Sequence, residues 1–499
     1  MKSQALKYFL VGIKGTGMSH LACLLKASGK QVSGCDQEQI FPTDLILKQS
    51  NIKVFKGFSK DLFDATIQVV IYSTAYEKQE CEIIDKYKQD ENILCYSYPE
   101  FVASLTKERK TYAVAGTHGK TTVSGLVTFL LSTVTKGDFS FFSLFGSSLI
   151  DFEPVIFQGD ENMVLEACEY QDHFLKYEFD GLIVTNIELD HVDYFKDISE
   201  VNNSFKKVIF KIRKGGFLIC NGDDRYSYEL ALFAKKNCKD IVIVTYGFKH
   251  HNTFQISKMP FSEETYHFSL RPEIEFSFPF FNKNLIGDCL AASIFSSFIL
   301  LDRKNPRLYL NKDSIICDEI LTTLILSMAK NTILYKGVKG RKEITGIQDK
   351  IIYLEDYAHH PTEIEVFLDN IKKEYPGKKL FVIFFPHTYS RTKGLYSDFL
   401  KAFNDADYLF IYKTFSSARN DCQEDGNQDL AKTMADQINR NILKNPLSHL
   451  KLCWYTNNEE TLVSWLVQAL QEDSLCISMG AGNYHKINEI IIKERRKLL

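Results

Sequence analysis

The chain has 499 residues, 45% of them apolar and 25% charged, with a net charge of −3. At roughly 100–200 residues per domain, that length supports about three domains, each able to bury its own core. So even a charge balance argues against nucleic acid and against an anionic membrane surface as partners.

From the N-terminus, short apolar runs alternate with longer amphipathic ones, which predicts repeated β-α units around mostly parallel sheets. The first series opens at Tyr8–Gly12 and continues through Gln31–Gly34 and Val69–Ser73. Glycines and Lys14 follow the apolar stretch Tyr8 to Ile13 at once. The stretch is therefore too short for a secretory or membrane-spanning segment and reads as a buried strand. The charged segment Thr106–Lys110 marks a junction. A second series then runs through Thr111–Ala115, Met163–Ala167, Gly181–Thr185, Phe217–Cys220 and Ile241–Thr245. Between Phe254 and Phe280 helical periodicity gives way to aromatics, predicting a small β excursion. A helix follows from about Leu285 to Leu300. The third series comprises Ile351–Leu354, Leu380–Phe384, Tyr408–Ile411, Leu452–Trp454 and Leu475–Ser478. The expected class is α/β in three domains, covering residues 1–107, 108–333 and 334–499. Twelve cysteines are scattered singly, without paired spacing, and read as reduced thiols of a cytoplasmic protein.

The strongest chemical signal is Ala115-Gly116-Thr117-His118-Gly119-Lys120-Thr121-Thr122, directly after a strand and opening a helix. Glycines let backbone N–H groups curl around phosphate oxygens, and the helix N-terminus adds a favourable dipole. Lys120 would reach the terminal phosphates and the Thr121 hydroxyl would sit on Mg²⁺. The loop is shorter than GxxxxGK[ST], and its bland counterpart is a glycine-rich turn before a helix. A Mg²⁺-nucleotide site also needs hard oxygen ligands. Two acidic stretches supply candidates at the ends of the next strands, Glu166 to Glu169 and Thr185 to Asp193. Glu169 and His191 are the metal ligands expected from them.

Gly12, Gly15, Thr16 and Gly17 form a second glycine-rich turn between the first strand and a helix starting near Met18. Asp36 follows the second strand, where a dinucleotide fold places a ribose-binding acid. The spacing is GxxGxG rather than GxGxxG, which favours a diphosphate ligand over a nicotinamide cofactor. In the third series, Glu355 to Glu363 follows a strand and opens a helix at Pro361, so His359 and His360 fall on a loop at the sheet edge. Two histidines alone fall short of a zinc ligand set. One strand later, Pro386-His387-Thr388-Tyr389-Ser390-Arg391-Thr392 offers Arg391, whose guanidinium suits a carboxylate.

Taken in order, GIKGTGMS, AGTHGKTT, EACEYQDHF, TNIELDHVDYF, EDYAHHPTE, PHTYSRT and GAGN span almost the whole chain. Together they resemble the Mur ligases of bacterial peptidoglycan synthesis, most closely the branch that adds L-alanine to UDP-N-acetylmuramate. The resemblance implies a Rossmann-like N-terminal domain that binds the UDP-sugar and a central P-loop ATPase-type domain. It also implies a C-terminal Rossmann-like domain that closes over the substrates, with Mg²⁺ and ATP required and either a monomer or a homodimer. It places the chain in cell wall biogenesis, and so in cell shape and cell division. Carried over by position, Gly12, Gly15, Thr16, Gly17, Met18, Ser19, Asp36 and Ser73 would line the UDP-sugar site. Gly116, Thr117, His118, Gly119, Lys120, Thr121, Thr122, Asn284, Asp288, Arg341 and Asp356 would bind ATP. Thr121, Glu169 and His191 would hold the metal. His359, His387 and Arg391 would face the amino acid, with Lys120, His359 and Arg391 catalytic.

Three segments depart from the family pattern. HNxxN becomes Asn284-Leu-Ile-Gly-Asp288, where an ionised aspartate could only accept hydrogen bonds. GVxRR becomes Gly337-Val-Lys339-Gly340-Arg341, and Thr388 stands where many members carry arginine. Two other activities stay open at this stage: a recycling ligase that adds a whole tripeptide, and a nucleotide-binding relative without turnover. Folylpolyglutamate synthetases share the later motifs, but Gly12 to Gly17 and Asp36 speak against them.

Overall fold

The computed structural model describes residues 6–77, 81–255, 257–259, 266–270, 274–278, 283–304, 319–414, 429–445, 449–480 and 483–497. They divide into two compact units, 1–189 with 194–338, and 190–193 with 339–499.

The first unit opens with β1 (Lys7–Val11), α1 (Thr16–Ala27), β2 (Gln31–Asp36), α2 (Asp44–Gln49) and β3 (Lys53–Lys56). It continues with β4 (Val69–Tyr72), α3 (Glu82–Lys88), β5 (Leu94–Ser97) and α4 (Tyr98–Glu108). The strands form a parallel sheet in the order β3-β2-β1-β4-β5. Phe9, Leu10 and Val11 are almost wholly buried, as a parallel strand covered on both faces requires. The order reverses between β1 and β4, and the turns after these strands share the crevice where open α/β sheets bind ligands. A capping box between Ser97 and Glu100 starts α4. Only Arg109 separates that helix from the next sheet.

The central part comprises β6 (Lys110–Ala115), α5 (Lys120–Thr135), β7 (Phe141–Leu144), β8 (Asn162–Glu166), β9 (Phe179–Val184) and α6 (Ile198–Val208). Then come β10 (Ile212–Asn221), α7 (Arg225–Asn237), β11 (Val242–Gly247) and β12 (Phe254–Gln255). These strands build a parallel sheet ordered β12-β11-β10-β9-β6-β8-β7. The aromatic segment forms an antiparallel sheet of β13 (Ser257–Met259), β14 (Tyr266–Leu270) and β15 (Ile274–Phe278). The helices α8 (Lys283–Lys304) and α9 (Glu319–Asn331) follow. Packing of α8 on α5 and the sheet joins Phe295, Phe298, Leu126 and Ile183 in one core. A second core runs continuously from Leu10 and Ile71 to Ala113, Leu165 and Val184. The N-terminal and central parts are thereby one body.

The second unit contains β16 (Glu343–Gln348), β17 (Ile351–Asp356), α10 (Pro361–Glu374), β18 (Lys379–Phe385), α11 (Tyr389–Gly394) and α12 (Tyr396–Phe399). It ends with β19 (Tyr408–Tyr412), α13 (Leu430–Lys444), β20 (Leu452–Thr456), α14 (Glu459–Ala469), β21 (Ser474–Gly480) and α15 (Ile487–Arg496). Its sheet order is β16-β17-β21-β18-β19-β20. All pairs are parallel except β16, an antiparallel edge with Ile344 and Ile347 exposed. That strand and β7 are not among the runs read from the sequence. β16 is half-exposed and carries no continuous apolar signal, whereas β7 is buried and apolar but only four residues long. The divide between units falls between Val338 and Lys339, because Tyr335 and Val338 are buried in the α5–α8 core. No helix among the described residues is long and apolar enough to cross a membrane.

Candidate active site

The loop after β6 is shaped by two glycines. Gly116 has φ +133°, and a Cβ there would lie 2.1 Å from the Thr185 hydroxyl. Gly119 caps α5 with φ +78°, a left-handed conformation costly for other residues. The turn after β9 clamps the loop from beside it. Thr117 N donates to Asn186 O (3.0 Å), and His118 N donates to Asn186 Oδ1 (2.8 Å). Thr185 Oγ1 donates to His118 O at 2.6 Å. Glu188 takes the His118 ring at 3.0 Å and donates its amide to Thr117 Oγ1 at 2.9 Å. Asn186 and Glu188 thus build the loop, a role that only the β6–β9 pairing makes visible.

Lys120 Nζ lies 3.1 Å from Glu169, which is 2% exposed, and also donates to the carbonyls of Gly116 and Thr117. Burial works against its charge, but Glu169, Cys168 and Glu166 together outweigh that and keep the amine protonated. Thr121 Oγ1 donates to Glu166 Oε1 (3.0 Å), and Gly146 N donates to Glu166 Oε2 (2.9 Å). Glu169 therefore meets the lysine, and Glu166 meets the threonine. The sequence marked the acidic stretch but not this division, which depends on β8 lying directly beside β6. Hydroxyl and carboxylate oxygens are the donor set that Mg²⁺ prefers, so Thr121, Glu166 and Glu169 fit that ion chemically.

Asp288 stands across from Gly119, its Oδ1 3.5 Å from where a Cβ would sit. Burial pushes its carboxyl up to about 7. Near neutral pH it is therefore partly protonated and can donate as well as accept, which restores the two-way hydrogen bonding of an asparagine. Asn284 falls in the first turn of α8, and its side chain lies outside the described residues. Thr122 is in the first turn of α5.

In the N-terminal loop, Gly12 has φ +79°, with the Tyr76 ring 2.7 Å from the Cβ position. Thr16, Gly17 and Met18 open α1, so their amides have no acceptor within the helix. Ser19 and Met18 are buried, and Ser19 Oγ donates to Thr16 O at 2.9 Å. The Ser73 hydroxyl caps the turn after β4 by accepting from Ala75 N. Asp36 is only 2% exposed. It accepts from Lys14 N (2.6 Å), Gln37 N (2.7 Å) and the Tyr76 hydroxyl (3.2 Å). The carboxylate that a dinucleotide pattern would offer to a ribose is turned inward here and pins the glycine loop.

In the C-terminal unit, Asp356 ends β17 and accepts from Lys342 N (2.8 Å) and Ala358 N (2.7 Å). Burial pushes it up to about 6 against the pull of Arg341. The Arg341 guanidinium lies over the Tyr357 ring, 4.9 Å from its centroid. His360 and Glu363 form a capping box, and Pro361 starts α10 as its sequence position predicts. His359 Nδ1 lies 2.8 Å from Tyr357 O. A carbonyl only accepts, so Nδ1 carries the proton and Nε2 keeps its lone pair. Burial and Arg391 lower the ring to about 3. Arg391 meets both Asp190 oxygens at 3.0 and 3.3 Å and His387 Nδ1 at 3.3 Å. Burial would raise Asp190, but His191, Arg391 and His359 hold it well below the usual carboxylate range. Thr388, at φ +63°, caps α11 by accepting from Arg391 N. Within this unit the structure brings His359, His387 and Arg391 together. His191 lies on the 190–193 loop of the same unit. Ala481 and Gly482 of the GAGN motif lie outside the described residues.

Three family models match the chain in succession. The model of the Mur ligase family catalytic domain covers residues 7–110, the Mur ligase middle domain 114–296, and the Mur ligase glutamate ligase domain 340–482. The UDP-N-acetylmuramate–L-alanine ligase of Borreliella burgdorferi is 31% identical over 490 residues, 97% of this chain and 98% of that protein. The enzyme of the same name from Clostridium perfringens is 30% identical over 495 residues, covering 98% of each. Among solved structures, the UDP-N-acetylmuramate–alanine ligase of Thermotoga maritima superposes with a TM-score of 0.73 at 20% identity, covering 99% of this chain and 100% of its own. A murein peptide ligase of Psychrobacter arcticus reaches 0.66 at 18% identity, with 98% of each chain covered. A matching series of domain models and a 31%-identical relative aligned over nearly the whole of both chains lead to one conclusion: the chain belongs to the Mur ligase family.

Proposed function

We propose that the chain is an ATP-dependent ligase that joins L-alanine to the carboxylate of UDP-N-acetylmuramate, in the cytoplasm, during peptidoglycan precursor synthesis. The name shared by the full-length relatives supports this substrate pair. The observation that carries it is the meeting of two phosphate-type loops in one compact unit. Gly146, whose amide holds Glu166 and through it Thr121, has its Cβ position 3.6 Å from the Thr16 methyl of the other loop. A sugar diphosphate on the first loop would thus bring its carboxylate towards a nucleotide on the second.

In this reading the amides of Thr16, Gly17 and Met18 hold the diphosphate, within a loop fixed by Gly12, Gly15, Asp36 and Ser73. Gly116 to Thr122 cradle the ATP phosphates, and Lys120 leaves Glu169 to neutralise the phosphoryl group in transfer. Thr121, Glu166 and Glu169 would hold Mg²⁺, which neutralises phosphate charge when bound. The muramoyl carboxylate oxygen attacks the γ-phosphorus, ADP leaves, and an acyl-phosphate forms. The amino group of alanine then attacks the acyl carbon, the tetrahedral intermediate collapses with loss of phosphate, and an amide remains. With its basicity so depressed, His359 is a hydrogen-bond acceptor that orients the amine through Nε2, not a strong base. The family resemblance assigns Asp356 and Arg341 to the ATP ribose and phosphates, and Asp288, across from Gly119, would meet the nucleotide.

The test is phosphate release from ATP with UDP-N-acetylmuramate and, in turn, L-alanine, glycine, L-serine or the tripeptide. The expected result is release strongest with L-alanine. Release with the tripeptide alone would assign the chain to recycling, and ATP binding without release would mark a silent relative.

A further inference from the structure

The contact between Asp190 and Arg391 has a role beyond the clamp expected of the arginine. Both groups are buried, 7% and 8% exposed. The guanidinium presents its Nε–Nη2 edge to the two carboxylate oxygens at 3.0 and 3.3 Å, and Nη1 reaches His387 Nδ1 at 3.3 Å. A guanidinium has five N–H donors, so these contacts use three and leave two. Buried ion pairs are weak contributors to stability, because desolvation offsets their attraction. This one therefore calls for a positional explanation.

The loop supplies it. The chain leaves the first compact unit after Leu189 and returns at Tyr194, and residues 190–193 pack with the C-terminal unit. Val192 lies so close to Gly394 of α11 that a Cβ at 394 would come within 2.7 Å of it. His191 has φ +52°, a conformation its side chain disfavours. Its amide donates to Asp190 Oδ1 at 2.6 Å, the same oxygen that takes Arg391 Nε. One carboxylate oxygen thus fixes both the arginine and the turn that presents His191.

We propose that Asp190 is a positioning residue that aims the remaining donors of Arg391 at the amino-acid carboxylate and fixes the turn that presents His191. The inference rests on the ligase reading above. Its test compares Asp190→Asn, Arg391→Lys and the double variant in two measurements: the KM for L-alanine and hydrogen exchange of the 190–193 amides. Asp190→Asn is expected to raise the alanine KM about 5–20-fold and to speed exchange of those amides. Arg391→Lys should raise the KM similarly, and the double variant should be no worse than either single one, as members of one unit behave. Asp190→Glu should recover part of both losses. A variant that only melts earlier, with KM and exchange unchanged, would overturn the proposal. So would a raised alanine KM in Arg391→Lys that Asp190→Asn does not share. If the unaltered protein shows no alanine-dependent turnover, the ligase reading fails, and the exchange results still decide whether Asp190 fixes the turn that presents His191.

Discussion

The loops after β1 and β6 share a plan, a glycine-bent turn feeding a helix N-terminus at a sheet's ligand edge, yet they are equipped differently. In the first, the one lysine of the loop, Lys14, is tied to Asp44 and to the Gln37 and Gln39 carbonyls. Its buried carboxylate, Asp36, is taken up by Lys14 N, Gln37 N and Tyr76, so neither charge is turned to the amides of the first turn of α1. The second pairs Lys120 with Glu169 and Thr121 with Glu166. A diphosphate that is only gripped needs backbone donors, whereas a phosphoryl group in transfer needs a cation that can move and oxygens for a metal. Under the proposed function, the same backbone motif would serve as a holder in one place and a reaction centre in the other.

The sharpest test of that division is Lys120→Ala. Turnover should fall at least about 1000-fold, while calorimetry should find UDP-N-acetylmuramate affinity nearly unchanged. Lost sugar-nucleotide binding would mean the loops do not divide the work. Next, Gly116→Ala forces a Cβ to within 2.1 Å of Thr185 Oγ1, against 2.7 Å from the more yielding Tyr76 ring in Gly12→Ala. Urea unfolding should show a loss of about 2–4 kcal/mol for the first and a smaller loss for the second. The first should weaken ATP and the second the UDP-sugar, and crossed effects would break the comparison. Asp36→Asn, which leaves one acceptor for three donors, should cost roughly 1.4 kcal/mol of UDP-sugar affinity, about tenfold, with the ATP KM unchanged.

The smallest effect expected is a pH dependence at Asp288. Its folded-state value is raised from 3.8 to about 7, so between those values the folded chain holds a proton that the unfolded chain releases. The group's contribution to stability is then full below the lower value and lost as pH rises through the higher one. In scanning fluorimetry the Asp288→Asn variant should gain melting temperature over the parent as pH rises from 4 to 7 and hold a constant lead above that. Parallel curves would show that the carboxyl titrates normally.

Much of this was readable in the residues. Apolar runs gave nearly all the central strands, because strands buried on both faces must be apolar throughout. The strands β3, β5, β7 and β16, all at sheet edges, were missed: β3, β5 and β16 are partly exposed and lack such a run, and β7 is apolar but only four residues long. The order of glycines, Lys120 and Thr121 predicted a glycine-bent turn feeding a helix, and Gly116 and Gly119 form it at positive φ, because few other residues tolerate that conformation. The pairing of Lys120 with Glu169 and of Thr121 with Glu166 was decided by which strands lie side by side. The inward turn of Asp36, the donor capacity of Asp288 and the joining of Asp190 to Arg391 were decided by burial. Local sequence sets backbone geometry and periodicity, which act over a few residues. Which charges meet, and how much water they lose, depends on segments up to 201 residues apart, and only the folded chain brings those together.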